Sequence, residues 1–223
     1  MRKLIVAIDG PSGAGKGTVA RAVATALGCP HVDTGAMYRA LAWKAIASRV
    51  DLADGSAVAA LGEEASFDLE DGRVAIDGQD VAKAIRTPEI DGAAAQVARH
   101  PAVRRALVAK QRAYGERGRC LVMEGRDIGT VVFPDADVKI YLDASPDERA
   151  RRRAHDPGHA SRGGAVAEVA TALARRDYQD RTREASPLLQ AADAVYIDTT
   201  DITIEEVVER VMNAVARARP TSD

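Results

Sequence analysis

Residues 10–18 read Gly10-Pro11-Ser12-Gly13-Ala14-Gly15-Lys16-Gly17-Thr18. They stand between an unbroken apolar run, residues 4–8, and a stretch of helical spacing, residues 18–27, that Gly28 stops. An apolar run without alternation is the pattern of a strand covered on both faces. A strand feeding a glycine-rich turn and then a helix brings backbone N–H groups and a helix N-terminus to one point, where they bind phosphate. Lys16 would reach the β and γ phosphates of a nucleotide and follow the charge as it moves during transfer. Gly17 intervenes before the hydroxyl residue, so Thr18 is a candidate for a phosphate oxygen or for Mg²⁺, directly or through water. The pattern predicts nucleotide binding and leaves the acceptor open.

Beyond this loop, strand-like and helix-like stretches alternate. Residues 120–123 and 138–142 read as short buried strands, and residues 31–32 and 194–197 as further short strands. Residues 36–49, 88–99, 102–114, 149–155 (continuing a helix begun after Ser145), 165–183 and 204–217 read as helices. This order predicts an α/β fold, a central parallel sheet with helices on both faces. Residues 67–76 instead alternate around Asp71-Gly72, the mark of a hairpin in an inserted subdomain. Residues 155–164 are loop-like, with Pro, Gly and Ser.

The net charge of −2 argues against a broad basic surface for nucleic acid or an anionic membrane. No run approaches the roughly 18 apolar residues of a membrane span, and the first apolar run is too short for a signal peptide. The expectation is a cytoplasmic protein, acting as a monomer on small molecules. Arginine outnumbers lysine 25 to 6. A G- and C-rich genome explains that ratio alone, but planar forks also suit bidentate phosphate contacts, and placement decides. Cys29 and Cys120 sit beside apolar runs in no metal spacing, and read as buried free thiols.

Two further segments follow predicted strands, where an open sheet places its ligands. In Asp33-Thr34-Gly35-Ala36-Met37-Tyr38-Arg39, Thr34 can donate to phosphate and Arg39 lies about one helical turn on. Taken alone, Thr34 is equally an N-cap and Arg39 a solvated charge. Glu124-Gly125-Arg126-Asp127-Ile128-Gly129-Thr130 offers a second arginine at a strand end, which makes two unrelated surface charges less credible.

The set GPSGAGKGT, DTGAMYR, IRTPE, PAVR, EGRDIGTVVFPDA and RRDYQDRTR, in this order from Gly10 to Arg183, resembles the bacterial cytidylate kinase family, a group of P-loop nucleoside monophosphate kinases. The glycine before Thr18 is also closer to monophosphate kinases than to GTPases or motor ATPases. The resemblance implies transfer of the ATP γ-phosphoryl, with Mg²⁺, to CMP or dCMP in pyrimidine nucleotide metabolism. It implies a P-loop core over residues 1–34 and 105–223, a monophosphate-binding region over 35–104 with a hairpin insertion near 62–86, and a short lid at about 150–165. By carry-over, Thr34, Arg39 and Arg126 hold the acceptor phosphate, Arg104 and Asp127 face the base, Asp180 and Arg183 lie near the ribose, and Arg86 contributes from the inserted subdomain. Arg152, Arg153 and Arg176 are the cations expected near the transferred group, with Lys16 and Arg126; Arg149 and Arg151 read as solvated. A lid closing behind Arg153 would exclude water as a competing acceptor.

Cytosine offers an amino donor at N4 beside an acceptor at N3, and uracil the reverse. A carboxylate paired with an arginine therefore suits cytosine, and an unpaired buried group against uracil costs about 1–3 kcal/mol. The family pattern carries a serine where this chain has Ala95, which loosens base choice if that hydroxyl touches the base. No general base is assigned, since a phosphate oxygen is already negative, so His31, His100, His155 and His159 read as structural or surface residues. The alternatives are a kinase for UMP, AMP or shikimate on the same core, or a nucleotide-gated binding protein, which needs one anion site rather than two.

Overall fold

The computed structural model describes residues 3–70, 72–156 and 166–218. Along the chain run β1 (Leu4–Asp9), α1 (Lys16–Leu27), β2 (His31–Asp33), α2 (Thr34–Ala47), α3 (Gly55–Glu64), β3 (Phe67–Asp68), β4 (Ala75–Ile76), β5 (Gln79–Asp80), α4 (Pro88–Val97) and α5 (Pro101–Glu116). They continue with β6 (Cys120–Gly125), a π-helical turn (Ile128–Val132), β7 (Val138–Asp143), α6 (Pro146–His155), α7 (Val166–Thr182), β8 (Val195–Asp198) and α8 (Ile204–Ala218).

The main sheet is parallel throughout, in the order β2-β6-β1-β7-β8. Alternation along β1 and β6 divides the core in two, as the unbroken apolar runs require. Ala7, Leu121 and Met123 face one way, into a core with Met37, Leu41, Ile85 and Leu107. Val6, Ile8 and Val122 face the other, with Val19, Val23, Ile140, Val207 and Val211. β2 and β7 lie on opposite sides of β1, so the order reverses beside it and opens a crevice beyond the strands' carboxyl ends. The loops after β1, β2, β6, β7 and β8 all converge there.

The smaller sheet, β3-β4-β5, is antiparallel and pairs Phe67 with Ile76 as the alternation predicts, with Gly72 in the left-handed region. Three elements are not visible in the sequence pattern. The helix α3 is capped by the Asp54 carboxylate, which accepts from Ser56 and Ala57 N–H at 3.0 Å. The strand β5 has only two residues, too few for any periodicity. The π-helical turn is held from outside itself, as described below. The residues 157–165 of the expected lid lie outside the described residues, as do His159 and Asp71. Among the described residues no helix is long and apolar enough to cross a membrane.

The cysteine expectation is corrected. Cys29 and Cys120 are joined as a disulfide. The chain leaving α1 turns at Gly28 and runs beside the start of β6, with Val122 N–H donating to Pro30 O at 3.0 Å, which leaves the two Cα atoms 5.4 Å apart. A spacing of 91 residues conceals a contact made by sheet pairing. Reduction is expected to lower stability by about 2–4 kcal/mol, because so long a loop is closed by the bond. Thermal melts with and without reductant check this; the Cys29→Ser/Cys120→Ser double variant should melt at the reduced midpoint in both.

Candidate active site

Gly15 caps α1 in the left-handed conformation, φ 87°, and no side chain bonds the helix's first N–H groups. No acidic residue stands in that first turn either. The free N–H groups and the positive end of the helix dipole therefore face the crevice. Lys16 is buried, and its ammonium donates to Pro11 O at 2.7 Å. Burial, with Arg126 next, pushes it down to about 7.

A cavity of about 930 Å³ opens over this loop and extends under α4, α5 and α7. Ser12, Gly13, Ala14, Gly15, Lys16, Gly17 and Thr18 line one side. Thr34, Arg39, Arg86, Arg104, Arg126, Asp127, Arg153, Arg176, Asp180 and Arg183 line the rest, with Arg152. Of the predicted residues only Gly10 and Pro11 stand behind the wall. Ala95 lies on the same wall as Arg104, among the small side chains of Ala94 and Ala98.

The arginines are held by carboxylates. Arg39 pairs with Asp33 at 2.9 Å, Arg126 with Asp180 at 2.9 Å, and Arg153 with Asp91 at 2.7 Å. Arg104 donates to Asp127, and Arg183 stands 3.4 Å from Asp180 and 3.9 Å from Asp127. Burial, with Arg126 close behind, lowers Arg176 to about 10. Arg104 Nε, Arg176 Nε and Arg183 Nη2 are buried without a hydrogen-bond partner. Crowded, partly unpaired guanidiniums beside a buried ammonium are the electrostatics of a site for polyanions.

Several placements differ from expectation. Thr34 is not the N-cap of α2; Asp33 is, accepting from Ala36 N–H at 3.0 Å. The Thr34 hydroxyl donates to Glu124 O at 2.7 Å. Arg152 is turned toward the β8–α8 loop, giving Nη1 to Thr199 Oγ1 at 2.8 Å and Nη2 to Thr199 O at 2.6 Å. Arg149 is buried rather than solvated, because it bonds the phosphate loop itself, whereas Arg151 is exposed. His31 is buried 3.2 Å from Glu124, His100 reaches Leu52 O at 2.8 Å and His155 reaches Arg151 O at 2.7 Å, the structural places expected of them.

Asp9 and Glu124 carry no role in the sequence reading; both sit at the carboxyl ends of their strands, where Glu124 lines the cavity and Asp9 is buried. Glu124 opens the EGRDIG segment, which was the available signal. Asp9 stands directly before the phosphate loop and accepts from Ile128 and Gly129 N–H at 2.8 and 2.7 Å. It thereby holds the start of the π-helical turn next to Arg126 and Asp127. Burial raises its carboxyl to about 6 against the pull of those two bonds.

A family model described as cytidylate kinase matches residues 6–217. The chain is 49% identical to a cytidylate kinase of Solibacter usitatus (strain Ellin6076), over 99% of this chain and 95% of that one. It is 46% identical to a cytidylate kinase of Desulfitobacterium hafniense (strain Y51), over 95% and 92%. Among solved structures, a gluconokinase from Sinorhizobium meliloti 1021 superposes with a TM-score of 0.50 at 15% identity, covering 97% of this chain and 94% of that one, a likeness of fold alone. With the match running through every segment that lines the cavity, the chain belongs to the cytidylate kinase family.

Proposed function

We propose that the protein transfers the γ-phosphoryl of ATP to CMP and dCMP, giving ADP with CDP or dCDP. The observation that carries this reading is that one cavity joins the phosphate loop to a buried Arg104–Asp127 pair. Two anion-binding walls facing each other suit a transfer between nucleotides; a nucleotide-gated switch needs one.

Phosphoryl transfer asks for positioning and charge compensation more than for a covalent partner. The N–H groups of residues 13–17 and the Lys16 ammonium would hold the donor phosphates. Arg39 and Arg126 would hold the acceptor phosphate, with Arg153 and Arg176 beside the group in flight. Asp127 would accept from the cytosine amino group while a guanidinium donates to the ring. Asp180 and Arg183 would serve the ribose, and Arg86 would approach from the inserted region.

For Mg²⁺, the cavity offers the Thr18 hydroxyl and, beside it, the Glu124 carboxylate, whose Oε1 lies 3.1 Å from where a Cβ on Gly17 would stand. Among the described residues no group of three acidic, His or Cys side chains could hold a metal. One or two oxygen ligands beside substrate phosphates are what Mg²⁺ takes, so this donor set fits. The ion would neutralise charge on the phosphate oxygens. A single chain supplies both walls, which supports a working monomer on soluble substrates.

ATP turnover should depend on CMP or dCMP, with UMP disfavoured by about ten- to hundredfold. A coupled ADP-release assay over CMP, dCMP, UMP and AMP checks this. A preference for AMP would end the proposal.

A further inference from the structure

Behind the cavity wall, between two residues that do not line it, lies a buried ion pair that the proposed chemistry does not use. Arg149 of α6 is 6% exposed and Asp177 of α7 is 8% exposed. One guanidinium serves three acceptors. Its Nε donates to Ala144 O at 3.0 Å, and its Nη1 donates to Ser12 O at 3.2 Å and to the Asp177 carboxylate. Ser12 belongs to the phosphate loop. Asp177 follows Arg176 and precedes Asp180 by one helical turn, so its helix carries the acceptor-side charges.

The loop is also pressed onto the same residue through its backbone. Gly13 has φ 82°, and a Cβ there would stand 2.8 Å from Arg149 O. Packing of α6 on α7 does not require the pair, since Ala150, Ala154, Val169 and Leu173 already form an apolar contact between those helices. Buried ion pairs contribute little net stability, while a planar fork fixes several partners at once, which an ammonium cannot. What Arg149 adds is a set distance between the phosphate loop and α7.

We propose that Arg149 and Asp177 are positioning residues, a buried strut that holds the donor cradle and the α7 charges Arg176 and Asp180 in one geometry. The inference rests on the kinase reading for its effect on turnover, but not for its effect on the phosphate loop. Two variants test it: Arg149→Lys keeps the charge and loses the fork, and Asp177→Asn keeps the volume and an acceptor oxygen. For each, ADP affinity is measured by calorimetry, kcat and KM for ATP and CMP by coupled assay, and the midpoint by thermal melt.

The expected result is a weakening of ADP binding by about tenfold and a fall in kcat of about ten- to hundredfold, with KM for CMP moving less than about threefold. The double variant should cost no more than the worse single one, because the two residues act as a unit. Constants within about twofold of the parent alongside a lowered midpoint would reduce the pair to a stability element and overturn the proposal. Should the parent itself fail to phosphorylate CMP, the kinase reading falls, and the ADP affinities still decide the strut.

Discussion

Lys16→Met is expected to lower kcat for transfer to CMP by about 10³-fold while leaving the protein folded. Methionine follows the lysine stem as far as Cε and fills nearly the same volume, so the backbone of the loop keeps its shape. What disappears is the one ammonium placed among the loop's N–H groups. Its charge is held at a cost, because burial and then Arg126 push it down to about 7. Removing it relieves that repulsion, and the thermal midpoint should hold or rise.

The same observation gives a pH-dependent signature. A phosphate drawn up to Nζ favours the charged form and moves the lysine's titration upward. At pH 8 the Lys16 amine is mostly neutral before binding and charged after it, so ADP binding takes up about one proton. Calorimetry in buffers of different ionisation enthalpy reads this uptake, and Lys16→Met should abolish it. A variant within about tenfold of the parent's kcat would remove Lys16 from the transfer step.

Asp127→Asn has the second-largest expected effect, on choice rather than rate alone. Asp127 is buried against Arg104, with Arg183 3.9 Å away. The carboxylate can only accept, which suits the cytosine amino group; an amide can turn its NH₂ toward the O4 of uracil. The expected outcome is a loss of about ten- to hundredfold in kcat/KM for CMP and a matching loss of discrimination against UMP. Neutralising one partner of a buried pair also costs up to about 3–5 kcal/mol, so the kinetics belong well below the variant's melting point. Unchanged discrimination with a lowered midpoint would make Asp127 a structural counter-ion to Arg104.

The phosphate loop was legible because its chemistry is local. Glycines, a lysine and a helix start must be contiguous for N–H groups to converge on one anion, so nine consecutive residues carry the signal. The parallel sheet was legible for a related reason: strands buried on both faces read as unbroken apolar runs, and β1, β6 and β7 stand where those runs fall. The small sheet showed in the alternation of residues 67–76, whereas β5 and the π-helical turn did not. Two residues have no period, and a turn whose start is held by Asp9 from 119 positions away has no local pattern.

Pairings among charges were beyond the sequence as well. A solvated arginine and a buried one are spelled alike, so Arg149 and Arg151, two positions apart, went to opposite environments, and only the latter fitted its reading. Arg152 was drawn to Thr199, which the β7–β8 neighbourhood brings alongside. Cys29 met Cys120 because α1 ends where β6 begins.

By itself the chain's order of residues determined the glycine-rich turn between β1 and α1, the parallel sheet that carries it, and which arginines are available, since each follows from contiguous pattern and from resemblance segment by segment. Tertiary structure alone decided which carboxylate each arginine meets and which of them face the cavity. Those outcomes depend on distances between segments as far as 137 residues apart, set by the reversal of strand order beside β1, and no window along the chain contains them.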